Sequence, residues 1–294
     1  MEKKYYRPDK APRNINPFTD FGFKKLFGEE ANKDILLQFL NDILENDVGR
    51  IVDLEYSKNE HLGPTEYDRN VVFDIFCRTE SGKRIIIEMQ KFHQAFFKER
   101  SLYYSTFAIQ EQAVKGDWDY SLYPVYCISL LDFKLKDENI NPDEYLHKVK
   151  LLETKSGKVF NDKLNFVYVE IPKFNKNLDE LETNVDKWMY LLTRLEYLER
   201  LPVTLQSKIF DKVMGIAELL KLEKTDRKAY EESLKKHRDL KNAMDSQKKI
   251  GFEEGIKKTA VRLFKKKMDV QFISEVTGLS EDELQELFRK EGLV

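Results

Sequence analysis

The sequence is poor in residues that bend or crosslink a chain. Its 294 residues include only 2 cysteines, 4 histidines, 8 prolines and 12 glycines. So little glycine and proline excludes a collagen-like or low-complexity chain. Cys77 and Cys127 lie inside apolar runs, which is typical of reduced core residues in a cytoplasmic protein. The four histidines are scattered, which argues against a structural zinc site.

Long apolar runs are missing as well. No run of about 18 apolar residues occurs, so we expect no membrane span. The first ten residues, MEKKYYRPDK, are charged and lack the apolar segment of a signal peptide. Against these absences stand a hydrophobic content of 41%, 20 phenylalanines and 14 tyrosines. This composition can supply a sizeable core and excludes a wholly disordered chain.

Charge is nearly balanced overall but unevenly distributed. The net charge is −2, yet residues 221–268 hold 16 Lys and Arg against 8 Asp and Glu, a local balance of +8. The rest of the chain therefore carries about −10. The basic stretch predicts either a contact with a phosphate backbone or an ordinary solvated helix face. Its candidate DNA contacts are Lys257, Lys258, Lys265, Lys266 and Lys267.

Hydrophobic periodicity predicts the order of elements in the first two thirds of the chain. Residues 1–16, which contain prolines, predict a loose N-terminal arm. Helical spacing predicts helices over 34–44 and 98–114, and short apolar runs predict strands over 51–56, 71–77, 84–89, 123–131, 145–152 and 164–171. This order favours an α/β fold with a mixed sheet flanked by helices.

Strand signals stop near residue 178, and the remaining segments predict helices. They cover residues 178–201, 203–222, the charged stretch to 268, and a hairpin of 270–277 and 282–289. Ser280 and Glu283 form a capping box in this hairpin. Its acidic second helix favours a packing or oligomerisation element over a helix-turn-helix that enters a DNA groove. The predicted parts are an arm at 1–16, a main domain at 17–200, a charged helical region at 201–268 and a helical hairpin at 269–294.

One segment carries an unusual pair of acids. Residues 71–90, VVFDIFCRTESGKRIIIEMQ, contain two strand-like runs joined by a three-residue loop at 80–82. This loop sets a register in which Asp74 lies directly opposite Glu88, and Gln90 shares their face because side chains alternate along a strand. Opposed like charges destabilise a sheet, so we expect a positive group between the two acids.

The identity of that positive group stays open on the residues alone. A divalent metal would serve, because Mg²⁺ typically takes one or two carboxylates together with substrate phosphate. The alternative is a lysine or arginine that forms a salt bridge on a partly exposed sheet face.

Six segments, taken in order, resemble a known family. They are TDFGFKKLF (19–27), DILLQFLNDIL (34–44), IIIEMQ (85–90), KERSLYYS (98–105), YPVYCISLLDF (123–133) and VEIPKF (169–174). With the Asp-hairpin-Glu-x-Gln arrangement, they resemble the bacterial Rpn family of recombination-promoting nucleases, also described as PD-(D/E)XK nuclease family transposases. The resemblance spans about residues 14–200 and implies a restriction-endonuclease-like core. The terminal segment FISEVTGLSEDELQEL (272–287) is similar to common tails of that family.

The resemblance implies a metal-dependent DNA endonuclease that serves recombination or a mobile element. In its pattern Asp74 and Glu88 bind Mg²⁺, for which Mn²⁺ can substitute, and the backbone carbonyl of Met89 adds an oxygen ligand. The metal would polarise the scissile phosphate and help to generate hydroxide. Gln90 stands where many members carry lysine. An amide can orient a water but cannot act as a base near pH 7, so the general base stays unassigned.

Accessory candidates lie on two predicted helices. Lys24 is either a migrated basic group of the site or an ordinary surface lysine. Thr19 or Asp20 caps the helix that carries it, and an acid from that region contributing to the metal site is a less favoured alternative. Arg100 and Tyr104 share a helix face.

Arg100 either binds phosphate through its guanidinium group or stacks on Tyr104. The aromatic residues that follow the acid motif, Phe92, Phe96 and Phe97, are predicted to pack rather than to stack on bases.

A second functional hypothesis belongs to another class. The chain would be a non-catalytic DNA-binding or assembly module that keeps the nuclease fold and acts through its lysine-rich tail. DNA is the expected partner under both hypotheses, and cleavage of RNA is a weaker third one. A homo-oligomer is a further expectation, because cleavage of both DNA strands favours a dimer.

Overall fold

The computed structural model describes residues 11–44, 47–58, 60–61, 71–92, 94–113, 116–135 and 140–294. Most of the predicted arm and the predicted end of the helix at Val114 lie outside these ranges. The chain divides into two compact units, Met1–Ser233 and Leu234–Val294. The finer division into four parts stays a prediction.

The first unit contains most of the regular elements. Its helices are α1 (Asp20–Phe27), α2 (Lys33–Leu44), α3 (Phe97–Gln110), α4 (Asn184–Arg194) and α5 (Lys208–Ala217). Its strands are β1 (Leu54–Tyr56), β2 (Glu60–His61), β3 (Val71–Val72), β4 (Ile75–Thr79), β5 (Arg84–Gln90), β6 (Val125–Leu131), β7 (Leu146–Leu152) and β8 (Val159–Glu170). Helix α6 (Lys224–Lys265) begins in the first unit and continues into the second, which also holds α7 (Val270–Thr277) and α8 (Glu281–Lys290).

Six strands form one mixed sheet in the order β1-β4-β5-β6-β8-β7. The pairs β5–β6 and β6–β8 are parallel and the others are antiparallel. The predicted α/β fold with a mixed sheet is therefore confirmed. Strand β6 is buried along its whole length, as its continuous apolar run predicts for a central parallel strand. Both cysteines are buried and free.

Two aromatic clusters hold helices around this sheet. One joins β4, β6 and β8 to α3 and includes Phe76, Phe97 and Tyr168. The other surrounds Trp188 of α4, whose ring contacts Phe39 of α2 edge-on at a centroid distance of 5.4 Å. The indole Nε1 of Trp188 donates to Asp42 at 2.7 Å, so this large ring is buried without leaving its polar group unpaired. The first of these clusters fixes α3 on the sheet beside the strands that carry the acid pair.

Several predicted boundaries are wrong for reasons that lie in local hydrogen bonding. The predicted strand at 71–77 is broken into β3 and β4 by a bend at Asp74. Of the predicted strand at 51–56, only Leu54–Tyr56 is a strand. The predicted helix at 178–201 is a short 3-10 helix followed by α4, because Thr183 starts a new helix with its own capping box.

The end of the predicted N-terminal arm is also not loose. The side chain of Asn14 donates to the carbonyls of Leu195 and Leu198, both at 2.8 Å. Ile15 is fully buried, and its N–H donates to Ala217 at 2.8 Å. These contacts come from residues about 180 to 200 positions away in the chain, which explains why local composition missed them.

The second unit confirms the predicted C-terminal helical hairpin. Gly278 ends α7 with a φ of 72°, and Ser280 starts α8 with the predicted capping box. Ala260 of α6, Ile273, Leu284 and Phe288 form its buried cluster. The hairpin therefore packs against the C-terminal part of α6, and its role as a packing or oligomerisation element stays a prediction.

Candidate active site

The acid pair lies where the β4–β5 hairpin opens. Ile75 pairs with Ile87, so the next pair outward in the same register is Asp74 and Glu88. The predicted register is confirmed. Gly82, in the loop of this hairpin, has a φ of 83°, a backbone conformation that favours glycine.

The two acids are joined through the backbone rather than by a direct contact. The N–H of Asp74 donates to Oε1 of Glu88 at 3.2 Å, and the N–H of Met89 donates to Oδ2 of Asp74 at 2.7 Å. Beyond the last ladder pair, Ile75 and Ile87, the carboxylate of Asp74 thus accepts the backbone N–H that Met89 directs toward β4. Each carboxylate is held in place by the strand that carries the other.

Burial sets the electrostatics of the pair. Only 8% of Glu88 is exposed, and burial, followed by the charge of Asp74, raises the pKa of Glu88 to about 8. Burial also raises the pKa of Asp74, against the opposing effects of the Met89 N–H and the charge of Lys24. Neighbouring acids with raised pKa values occur preferentially at functional sites.

Gln90 lies beside Glu88 as predicted. It is 8% exposed, and its Nε2 donates to Oε2 of Glu88 at 3.0 Å. Since Oε1 of the same carboxylate binds the N–H of Asp74, both oxygens of Glu88 have hydrogen-bond donors. Gln90 therefore fixes the orientation of this carboxylate.

The carbonyl of Met89 faces the acid side of β5. The carbonyl of Gln90 accepts from the N–H of Asp132 at 2.8 Å, on the side of β6. The N–H of Met89 points to the other side, where it binds Asp74. Because the N–H and the carbonyl of one strand residue point to the same side, the carbonyl of Met89 is directed toward Asp74.

Helix α1 brings positive charge to the pair. Lys24 lies 3.0 Å from the carboxylate of Asp20, one turn earlier in α1, and its charge lowers the pKa of Asp74. Thr19, not Asp20, is the N-cap of this helix, since its side chain accepts from the N–H of Gly22. Lys24 thus combines an exposed side chain with an electrostatic effect on the acid pair.

Helix α3 brings Arg100 and Tyr104 to the other side of Glu88. The guanidinium carbon of Arg100 lies 4.8 Å from the centroid of the Tyr104 ring, so the predicted stacking is present. The charge of Arg100 also lowers the pKa of Glu88, and its Nη1 donates to the side chain of Gln94. Stacking and a role at the acid pair therefore do not exclude each other.

A small pocket lies between these side chains. Its lining includes Glu88, Gln90, Arg100, Tyr104 and Ser129, and its volume is about 10 Å³. This is room for about one water. A larger cleft of about 560 Å³ lies beside the loop of the same hairpin, where Gly82 and Arg84 are part of its lining. That cleft is at the opposite end of β5 from Glu88, so its size does not identify it with the acid site.

Sequence reasoning missed Lys91 and Asp132. Burial lowers the pKa of Lys91, whereas the charges of Asp20, Asp74 and Asp132 raise it. Gln90 is opposite Leu131 in the parallel pair of β5 and β6, so Lys91 and Asp132 directly follow the ends of adjacent strands. Carboxyl ends of neighbouring parallel strands commonly carry ligand-binding residues, and this position was the signal that the sequence offered.

The predicted DNA contacts of the tail belong to the second unit. Lys257, Lys258 and the run Lys265, Lys266 and Lys267 are exposed. Lys258 lies 3.5 Å from the carboxylate of Glu254, and the charge of Lys257 lowers the pKa of Glu283. These two lysines are therefore partly neutralised within their own unit, which leaves the run at 265–267 as its strongest positive feature.

The mixed six-stranded sheet, flanked by helices and carrying an acid pair on its hairpin, is the α/β architecture of PD-(D/E)XK nucleases. The family model of the PD-(D/E)XK nuclease family transposases matches residues 17–247, and the chain belongs to this family. Membership supports a nuclease-like function with DNA as the substrate. No curated protein and no solved structure matches the chain. Among the helices in the described ranges, none has the length and hydrophobicity that crossing a membrane requires.

Proposed function

We propose that the protein is a metal-dependent DNA endonuclease that hydrolyses phosphodiester bonds. The observation that carries the proposal is the pair of half-buried Asp74 and buried Glu88, whose pKa values are both raised. Such a pair gains most from a bound cation, because a cation offsets both the loss of solvation and the mutual repulsion of the acids. Mg²⁺ is the proposed metal and Mn²⁺ its substitute.

The donor set suits a hard divalent cation. Two carboxylates and the carbonyl of Met89 supply oxygen ligands, which Mg²⁺ prefers. In the described part of the chain no three or more His, Cys, Asp and Glu residues come together as a metal cluster, so the remaining ligands would be water and substrate phosphate. When bound, the metal would supply charge stabilisation at the scissile phosphate and a water of lowered pKa.

The surrounding side chains orient the reactants. Gln90 holds Glu88 through its Nε2, and its amide can orient the attacking water but cannot take its proton near pH 7. Arg100 offers a guanidinium group that suits a phosphate oxygen. Since the pocket beside Glu88 has room for only about one water, we expect the scissile phosphate to meet the acids at the half-buried Asp74.

Positive charge from Lys24 and Lys91 acts on the same edge. Both side chains lower the pKa of Asp74 and thereby favour its ionised form. An anionic phosphodiester approaching Asp74 would meet these two ammonium groups as well, which offsets the repulsion from the acids. The general base of the reaction stays unassigned.

The second candidate function is a non-catalytic DNA-binding or assembly module. It is favoured by the exposed lysines at 265–267, which contact phosphate without reading bases. Under this hypothesis charge reversal in the tail abolishes function, whereas substitution of Asp74 leaves it nearly unchanged. Under the nuclease hypothesis the effects are reversed.

The test is cleavage of supercoiled plasmid by the purified chain with Mg²⁺, Mn²⁺ or EDTA. Asp74→Ala is compared with Glu55→Gln, which removes an exposed carboxylate of β1 whose partner is Arg78. We expect metal-dependent nicking by the wild type and by Glu55→Gln, and a loss of at least about 100-fold in Asp74→Ala, since metal ligation is removed. A gel shift on the same plasmid should show that Asp74→Ala still binds.

Two other results would contradict the proposed catalytic role of the acid pair. Equal cutting by Asp74→Ala and the wild type would mean that the chemistry lies elsewhere. Binding by both proteins without cutting by either would favour the binding module.

We restrict the proposed reaction to hydrolysis, because strand transfer requires synapsis and recognition of DNA ends. The proposal also includes a role in recombination or in a mobile element, a cytoplasmic location and homo-oligomerisation. Oligomerisation is tested by light scattering of the purified chain with and without DNA. Cleavage of both strands at one position would be accompanied by a dimer.

A further inference from the structure

Phe96 differs from its neighbours in the segment that leads from the acid pair to α3. It is 77% exposed, whereas Phe97 is only 6% exposed and packs against Phe133 and Tyr168 at centroid distances of 5.7 and 5.8 Å. The prediction that both phenylalanines pack is therefore wrong for Phe96. A ring this exposed is available for a contact outside the chain.

The backbone of Phe96 is strained as well as exposed. Its φ of 59° and ψ of 35° are left-handed, a conformation that costs free energy for a residue with a β-carbon. Two contacts hold it: the carbonyl of Phe96 accepts from the N–H of Arg100 at 2.9 Å, and the next side chain, Phe97, is anchored in the core. Strain of this kind is concentrated at functional sites.

Phe96 lies one helical turn from a residue of the candidate active site. Phe96 precedes α3, and Arg100 follows one turn later, about 6 Å along the helix axis. Arg100 in turn lines the pocket that contains Glu88 and Gln90. A nucleic acid strand with its scissile phosphate at the acids would carry a neighbouring nucleotide past this turn of α3.

We propose that Phe96 stacks on an unpaired or extruded base next to the scissile phosphodiester. The contact rests on the proposed nuclease function and adds a substrate preference to it, namely DNA with an unstacked base beside the cut. Every base has an aromatic face, so stacking selects for base accessibility and not for sequence. A phenylalanine ring suits this role because only two side-chain dihedrals lose freedom when it binds.

Tyr120 supplies a matched control. It is 78% exposed and has the same φ of 59°, so the two positions match in exposure and in this backbone angle. Tyr120 lies before the start of β6, however, and β6 is parallel to β5. It is therefore associated with the opposite end of the strands from Glu88 and Gln90.

The test measures binding of two DNA duplexes in EDTA, one fully paired and one with a single unpaired 2-aminopurine. The full-length wild type is compared with Phe96→Ala, Phe96→Trp and Tyr120→Ala. We expect the wild type to prefer the bulged duplex by about tenfold and to quench its fluorescence, since stacking on an aromatic ring is worth about this factor. Phe96→Ala should lose the preference and the quenching, whereas Phe96→Trp and Tyr120→Ala should keep both.

Other outcomes would overturn the proposal. The proposal is wrong if the wild type binds neither duplex, or if the wild type and Phe96→Ala bind the bulged duplex equally. It is also wrong if Phe96→Ala and Tyr120→Ala lose the preference for that duplex to the same extent. A changed oligomer mass of Phe96→Ala in light scattering, with DNA binding intact, would assign the ring to a protein contact. Cleavage is measured separately, so quenching that depends on Phe96 without any metal-dependent cutting would refute the hydrolase and leave the stacking contact standing.

Discussion

Glu88 accepts a hydrogen bond from the backbone N–H of Asp74 at 3.2 Å, at the point where β4 gives way to a bend. In return, the carboxylate of Asp74 accepts from the backbone N–H of Met89 at 2.7 Å. The arrangement satisfies the N–H of Asp74 and, at the same time, holds the two acids together in a largely buried position. The same two hydrogen bonds thus fix the backbone at the end of the hairpin and the relative position of the two acids.

The first prediction concerns the pH dependence of stability in the absence of metal. Below the ordinary glutamate pKa of about 4.3, Glu88 is protonated in the folded and the unfolded chain. As pH rises from there to about 8, the unfolded chain ionises while folded Glu88 keeps its proton, so the free energy of unfolding falls. Glu88→Gln should remove this loss and be more stable than the wild type at pH 8.5 by on the order of 2–4 kcal/mol.

Urea unfolding in EDTA at pH 4 and at pH 8.5 measures this difference. Glu55→Gln, at an exposed carboxylate of the same sheet, keeps Glu88 and should therefore match the wild type in stability at both pH values. A Glu88→Gln protein that is less stable than the wild type at pH 8.5 would contradict the raised pKa.

The second prediction concerns metal binding itself. Mg²⁺ or Mn²⁺ should raise the Tm of the wild type without any DNA, because a ligand that binds only the folded chain stabilises it. A free metal concentration 100 times the Kd corresponds to about 2.7 kcal/mol. Asp74→Ala should lose the shift, and Glu55→Gln should keep it. A shift of equal size in Asp74→Ala would place the metal at another site.

The third prediction separates the two suggested roles of Arg100. Arg100→Lys keeps the charge near Glu88 but loses the planar group that stacks on Tyr104 and can bind phosphate through two N–H groups. We expect kcat to fall by about 10-fold or more, since a charge-assisted hydrogen bond contributes about 1.5–3 kcal/mol. Tyr104→Leu, which removes only the stacking partner, should reduce kcat by less than Arg100→Lys. Equal losses would assign Arg100 a packing role alone.

The fourth prediction concerns the lysine tail. Lys265→Glu with Lys266→Glu should weaken plasmid binding and lower the slope of log K against log salt by about 0.9 for each phosphate contact that is lost. Cleavage at saturating DNA should be unchanged. Lys155→Glu with Lys158→Glu, at the exposed turn between β7 and β8, makes the same change in net charge. If both double variants weaken plasmid binding equally, the tail makes no specific phosphate contact.

The fifth prediction concerns the strain at Phe96. Phe96→Gly should raise the free energy of unfolding by about 0.5–1 kcal/mol, because glycine adopts the left-handed conformation without a steric penalty. The same variant should bind the bulged duplex as weakly as Phe96→Ala. Urea unfolding of both variants measures the difference, and a Phe96→Gly protein less stable than Phe96→Ala would show that this backbone position is not strained.

The local features of the site can be predicted from the amino-acid sequence. The three-residue loop with Gly82 set the register that opposes Asp74 and Glu88, and alternation along β5 put Gln90 on the same face. The helix start at the capping box of Ser280 and the buried strand β6 were likewise predicted from the sequence. Each of these features depends on turn chemistry or periodicity among residues that are close in the chain.

The distant side chains that surround the acids could not be predicted in this way, because packing of the sheet and helices brings them there. Helix α1 brings Lys24 from 50 positions away, and the parallel alignment of β5 and β6 puts Asp132 near Lys91. The exposure of Phe96 likewise follows from how α3 docks, because Phe97 and not Phe96 takes the place in the core. Charge interactions and burial depend on distances across the fold, and these distances exist only once the sheet and helices have packed together.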